Sequence, residues 1–188
     1  MWQTVAIIII TLCVFSSVSY CQNIEFAGKG GLFYFSSNDQ EFKDNWSPYG
    51  YLIGGRISLV LKEPNVISLD IEDVKTDRLQ RERIDYYGYV DIETQSQILS
   101  FYISYQRRST MSKNFAPYLG GGFGISILSG NIIVEDISVD IDSKTDFAYK
   151  TFLGINLFQS LFVEGGYAYA GRNGNTGFFA FGGIKAKI

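Results

Sequence analysis

The side chains that could carry chemistry in this sequence are acids and bases set between apolar residues. Asp70 and Glu72 are two positions apart, so both carboxylates would lie on one side of an extended chain. Neighbouring carboxylates can form an acid–base pair, but the sequence contains no histidine. Its absence excludes Ser-His nucleophilic catalysis and the common histidine zinc sites. Ser-Lys and paired-carboxylate mechanisms need no histidine, but no motif supports either, and neighbouring acids such as Asp70 and Glu72 more often pair with Arg or Lys. We therefore predict a protein that is not an enzyme and has no cofactor or metal.

The same alternation places ionisable residues on the polar faces of several predicted strands. Four acids and four bases share these faces, so their charges balance. They are Glu25, Lys29, Arg56, Asp70, Glu72, Lys150, Glu164 and Lys185. In a narrow interior such groups are poorly hydrated and must pair. We expect a network of salt bridges that plugs the interior, and the alternative is a narrow gated ion path.

A second group of candidates lies in the long connection between the third and fourth predicted strands. Arginine and tyrosine are enriched at recognition surfaces, and this connection is rich in both. The candidates for contact with an extracellular or host ligand are Arg78, Arg81, Arg83, Tyr86, Tyr87 and Tyr89.

The connection between the fifth and sixth predicted strands alternates apolar and acidic residues between Val134 and Asp142. We expect a solvated hairpin that prolongs two strands. The alternative is a calcium site on Asp136, Asp140 and Asp142, although the glycine and terminal glutamate of a calcium loop are missing.

Eight strand-like segments must position these residues. They cover approximately residues 24–36, 49–62, 66–73, 97–106, 115–128, 145–157, 161–170 and 177–188. The connections after segments two, four and six are short, whereas those after segments one, three and five are long. This alternation is typical of an up-and-down barrel that has tight turns at one end and longer loops at the other.

The faces of the segments predict where the barrel lies. In segment 115–128, Leu119, Phe123 and Ile125 share one face, and the other face is rich in glycine. An apolar face without charge suits lipid, and small residues suit a crowded lumen. Tyrosine and phenylalanine also collect near the strand ends, as in the aromatic girdles of membrane barrels. The sequence therefore predicts an all-β fold, an eight-stranded antiparallel up-and-down transmembrane β-barrel.

The N-terminus has the form of a secretory signal peptide. The apolar stretch Val5–Phe15 is followed by small and polar residues, and it is too short to span a bilayer as a helix. We expect residues 1–21 to be a cleaved signal peptide and residues 22–188 to form the barrel domain. The alternative is that Cys21 is a lipidated N-terminus. The net charge of −3 and the lack of a basic run argue against nucleic acid as a partner.

Three stretches resemble the small eight-stranded outer-membrane proteins, the family of the OmpA transmembrane domain, OmpX and the opacity-type surface proteins. These stretches are Pro117–Gly124, Phe152–Tyr167 and Phe181–Lys185. The resemblance implies a Gram-negative outer membrane, contact with its lipid, folding by the barrel-assembly machinery, and a structural or adhesion role for exposed loops. The alternatives are a narrow pore and a soluble lipocalin-like carrier, whose apolar face would point inward.

Overall fold

The computed structural model describes residues 23–36, 47–61, 64–84, 88–109, 114–134, 137–170 and 176–188. Eight antiparallel strands follow one another around a closed barrel, which confirms the predicted all-β up-and-down fold. They are β1 (Asn23–Phe35), β2 (Tyr49–Val60), β3 (Asn65–Ile84), β4 (Gly88–Arg108), β5 (Phe115–Val134), β6 (Ile137–Leu157), β7 (Leu161–Ala170) and β8 (Thr176–Lys187). In these ranges no helix is long and apolar enough to cross a membrane. The predicted signal peptide, residues 1–21, lies outside the described residues and stays a prediction.

The strands are strongly staggered around the barrel. The cross-strand partners of Phe26, followed once around, lead to Thr176 of β8. The Thr176 carbonyl accepts a hydrogen bond from the amide of Ser36, ten positions beyond Phe26. In an eight-stranded barrel, strands tilt by about 35–45° and leave an interior just wide enough for side chains.

Strand alternation places the apolar side chains outside and the charged ones inside. Leu119 and Leu153 are exposed over 67% and 70% of their surface, whereas Asp70 and Lys150 are each 1% exposed. This distribution is the reverse of that in a water-soluble protein, where lysine and aspartate are almost never fully buried.

Strands β3 to β6 are longer than the sequence predicted. The connection between β3 and β4 was expected to be a loop over residues 74–96, and this was wrong because cross-strand pairing continues to Ile84 and Gly88. Most of its residues are polar, and buried Thr76, Thr94 and Ser96 are polar like their neighbours, so an alternation of apolar and polar types does not reveal the strands. We call the part of β3–β6 that continues beyond the barrel rim the wall; it comprises residues 76–84, 88–96, 130–134 and 137–147.

The interior of the barrel also holds a hydrophobic cluster that the sequence analysis did not predict. The cluster is mostly aromatic and aliphatic, and it includes Phe33, Phe35, Leu52, Val74, Ile98, Phe152, Phe162 and Phe179. Inward-facing glycines make room for its rings. A Cβ atom on Gly120 would lie 2.6 Å from the Phe152 ring, and one on Gly154 would lie 2.5 Å from the Tyr118 hydroxyl. The glycine-rich faces are therefore filled by rings from neighbouring strands.

We expect the substitution Gly154→Ala to lower the free energy of unfolding by about 1–3 kcal/mol, the usual range for overpacking. The new methyl group would press on the Tyr118 hydroxyl and lie 2.7 Å from the Val163 carbonyl oxygen. Urea unfolding of the refolded barrel in detergent measures the change. The matched control is Gly28→Ala, because a Cβ there meets no atom within 4 Å. Equal stability of the two variants would contradict this packing.

Candidate functional site

A charge cluster occupies the middle of the barrel interior. It gathers six of the eight ionisable residues that the sequence placed on the polar faces, three cationic and three anionic. They are Lys29 of β1, Arg56 of β2, Asp70 and Glu72 of β3, Lys150 of β6 and Glu164 of β7. All six are at least 94% buried. The cluster is formally neutral, which is how charges can be kept in a dry interior.

The two carboxylates of β3 are bridged by two lysines, one from β1 and one from β6. The Lys29 ammonium lies 2.9 Å from Asp70 Oδ1 and 2.5 Å from Glu72 Oε1. The Lys150 ammonium lies 3.2 Å from Asp70 Oδ2 and 2.6 Å from Glu72 Oε1. Ser104 donates a further hydrogen bond to Asp70 Oδ2. Both acids thus have the two lysines as cationic partners.

Arg56 of β2 connects this centre to Glu164 of β7, across the barrel interior. Its Nε donates to Asp70 Oδ1 at 2.6 Å. Its two terminal nitrogens donate to the two carboxylate oxygens of Glu164 at 2.7 and 2.9 Å, the bidentate geometry that arginine favours. The Tyr118 hydroxyl also donates to Glu164, at 2.9 Å. Glu164 therefore accepts hydrogen bonds from two side chains on different strands, Arg56 of β2 and Tyr118 of β5.

An aromatic ring lies beside each of the three cations of the cluster. The Lys29 ammonium lies 4.7 Å from the centre of the Phe181 ring, and the Lys150 ammonium lies 4.6 Å from that of Tyr102. The Arg56 guanidinium lies 5.2 Å from the centre of the Phe152 ring. These distances are within the range of cation–π attraction, so the rings replace part of the water that the cations have lost.

A smaller cluster holds the other two predicted residues near the end of the barrel where β2–β3 and β4–β5 turn. Glu25 accepts two hydrogen bonds from Arg108, at 2.9 and 2.6 Å, and lies 3.7 Å from the Lys185 ammonium. Sequence reasoning missed Arg108 because it placed residue 108 in a turn. The signal was present, since Arg108 continues the inward alternation of Tyr102, Ser104 and Gln106 on β4.

Very little open space remains between the two clusters. A cavity of about 10 Å³ lies there, lined by Arg56, Arg108, Tyr118 and Asn156 among others. That volume holds about one water molecule. Among the described residues, no group of three or more His, Cys, Asp or Glu side chains could hold a metal ion. The paired charges and the rings beside them fill this part of the barrel interior.

Four of the six predicted recognition residues lie on the wall. Arg78, Arg81 and Arg83 belong to β3, and Tyr89 belongs to β4 opposite Arg83. The other two candidates, Tyr86 and Tyr87, lie outside the described residues. The hairpin therefore brings four of the six candidates onto one pair of strands.

The β5–β6 half of the wall has two different faces. Leu128 packs against the interior cluster, so the even-numbered residues of β5 beyond it, such as Ile132, face the barrel axis. Val139 of β6 pairs with Ile132 and is 60% exposed, whereas Asp140 pairs with Asn131 on the outer face. An outer depression of about 510 Å³ is lined by polar residues, including Lys75, Asp77, Gln95, Gln97, Asn131 and Asp140.

These features define a class of protein: a closed eight-stranded barrel with an apolar exterior, a filled polar interior and long hairpins at one end. Its structural neighbours are small outer-membrane barrels. The fold is similar to Ail, the attachment invasion locus protein of Yersinia pestis, with a TM-score of 0.53 and 15% identity over 88% of this chain and 97% of Ail. At this identity the likeness shows the fold alone.

Two further solved structures match at lower TM-scores. The N-terminal β-barrel domain of Pseudomonas aeruginosa OprF has a TM-score of 0.47 and 15% identity, over 89% of this chain and 99% of that domain. Neisserial surface protein A has a TM-score of 0.44 and 12% identity, over 88% of this chain and 94% of that protein. No protein-family model and no curated protein matches the sequence.

We expect Arg56→Met to lower the free energy of unfolding by about 3–5 kcal/mol, because Glu164 and Asp70 lose a buried cationic partner. The double variant Arg56→Met with Glu164→Leu should lose less, since it removes the stranded carboxylate as well. Urea unfolding in detergent measures both. Lys75→Met is the control: the Lys75 ammonium is 3.9 Å from Asp73 and its side chain is 63% exposed, so the change should stay within about 1 kcal/mol. A double variant less stable than Arg56→Met would argue against the pairing.

Proposed function

We propose that this chain is a non-enzymatic outer-membrane protein that crosses the membrane as a barrel and presents its wall to extracellular or host ligands. The observation that carries the proposal is the outward face. In β5, for example, the outward residues from Pro117 to Ile127 are apolar or glycine, and their strand length matches the roughly 9–11 residues that a tilted membrane strand needs. No charged residue interrupts the corresponding outward positions of β1, β2, β6, β7 or β8 in the described part of the barrel.

Aromatic pairs on the outer surface support the same placement. The rings of Tyr149 and Tyr169 stack at 5.0 Å, and those of Tyr34 and Tyr49 lie 5.3 Å apart. Both pairs lie toward the end of the barrel that carries the wall. Amphipathic rings settle at the headgroup level of a membrane, so these pairs would mark the outer boundary of the lipid.

The orientation and route follow from the predicted signal peptide and from the strand count. Residues 1–21 would direct export and be removed, and the barrel-assembly machinery would insert the rest. Because the number of strands is even, the first and the last strand of the barrel have their outer ends on the periplasmic side, where the short turns lie. The wall then extends on the extracellular side of a Gram-negative outer membrane, with Arg78, Arg81, Arg83 and the neighbouring tyrosines as contact candidates.

The soluble lipocalin-like carrier is disfavoured by the distribution of side chains. Such a carrier keeps an apolar cavity inside and a polar surface outside. Here Ile53, Leu119 and Leu153 are exposed on the outside, and the interior holds paired charges.

Labelling of intact cells tests the placement of the wall. The exposed Ser138 of the wall and the exposed Ser160 of the β6–β7 turn are each replaced by cysteine in separate variants. We expect a membrane-impermeant maleimide to label Ser138→Cys on intact cells, and to label Ser160→Cys only after the outer membrane is permeabilised. The unsubstituted chain provides the blank for Cys13 and Cys21. Labelling of Ser160→Cys alone, or of both variants equally, would overturn the proposed orientation.

Single-channel recording separates the sealed barrel from the narrow pore. We expect no conductance above background after reconstitution of the protein into planar bilayers, because the space between the two charge clusters holds only about one water molecule. Folding of the sample is first verified by its heat-modifiable migration in detergent gels. Discrete conductance steps from folded protein would favour the pore.

A further inference from the structure

In the described part of the chain the wall has two open strand edges, whereas the barrel below it is closed. Pairing between β2 and β3 reaches Lys75, and pairing between β6 and β7 begins at Ala148. Within the described chain, residues 76–84 of β3 and 137–147 of β6 thus pair on one side only. Such edges present unpaired N–H and C=O groups and are templates for another strand.

The two edges carry opposite net charge. On β3 the edge contains Arg78, Arg81 and Arg83 against two acids, a net charge of +1. On β6 the edge contains Asp140, Asp142 and Asp146 against the single base Lys144, a net charge of −2.

Charge alone would be a common way to protect an edge from pairing. Like charges directly opposite each other on paired strands are destabilising, and opposite charges are stabilising. The acidic edge is therefore guarded against a second acidic edge, but it is complementary to the basic edge of another copy.

The directions of the strands also favour pairing between a β3 edge and a β6 edge. Copies inserted in one membrane share one orientation, a condition that rests on the proposed function. In that orientation β3 runs toward the wall tip and β6 runs away from it. The β3 edge of one copy would therefore meet the β6 edge of the next in an antiparallel arrangement, whereas two equal edges would meet in parallel, which is the slightly less stable pairing.

We infer that the wall joins copies of this chain side by side in the membrane, with the β3 edge of one copy against the β6 edge of its neighbour. The contact is heterologous, so each copy keeps one free edge and the association continues into a ring or a row. The partner that this surface fits is a second copy of the same chain.

Cysteine cross-linking in lipid vesicles tests this association. Copies that carry Arg81→Cys and copies that carry Asp140→Cys bear different tags and are reconstituted together in phosphatidylcholine vesicles. We expect the mixed cross-linked pair to exceed either pair of identical copies by roughly tenfold, the factor that a few favourable cross-strand charge pairs supply. Equal yields of the three products, or no cross-link at all, would overturn the inference.

A charge swap distinguishes association through opposite edge charges from cross-linking by chance encounters of copies in the membrane. The variant Asp140→Arg with Asp142→Arg should lose association between its own copies, because its β3 and β6 edges are then both basic, as measured by energy transfer between labelled copies in the same vesicles. It should regain association with copies that carry Arg81→Asp and Arg83→Asp. Failure of that rescue would overturn the inference. Heat-modifiable migration of every protein verifies insertion. Unsubstituted copies that fold but do not associate refute this inference alone, whereas a chain that never inserts refutes the proposed function with it.

Discussion

The constraint on which this structure depends is the width of a closed eight-stranded barrel. Closure satisfies the backbone of every strand through its two neighbours, which is what a lipid environment demands of a spanning sheet. The stagger of ten residues per circuit leaves an interior that side chains alone can fill. Any charge that points inward is therefore buried, and any bulky side chain that points inward requires space from its neighbours.

The composition of the interior follows from that width. Lys150 and Glu72 are acceptable there because each meets a group of opposite charge, at 2.6 Å from each other. Removal of either partner would leave an ion in a medium where solvation is expensive. Gly154 and Gly120 fit the same requirement, because the Tyr118 and Phe152 rings occupy the volume that larger residues would need. The salt-bridge network and the inward glycines thus both follow from the narrow interior of the barrel.

Much of the barrel could be predicted from the sequence because a strand has a period of two. That period assigned Arg56, Asp70 and Glu164 to the interior, where the structure places them. It did not say which acid meets which base, because those contacts depend on the stagger between strands far apart in the chain. The bidentate contact between Arg56 and Glu164 joins residues 108 positions apart. The hydrophobic cluster was also not predicted. Phenylalanine occurs on both the inward and the outward faces of the strands, so its presence in a strand does not show which way it points.

The wall shows where that reasoning stops. In the barrel, one face meets apolar surroundings and the other meets charges, so the alternation is strong. Beyond the rim the sequence of β3 is mostly polar, and the residues after Lys75 no longer alternate apolar and polar types although the strand continues to Ile84. On β5 and β6 an alternation persists, but apolar Ile132 and Val139 now face the barrel axis and Asp140 faces outward. The barrel is no longer closed there: pairing with β2 stops at Lys75 and pairing with β7 begins at Ala148, so within the described residues the outer strands of the wall are paired on one side only. What the barrel solves by joining its first strand to its last, the wall must solve by other means, and charge and a further strand are two of them.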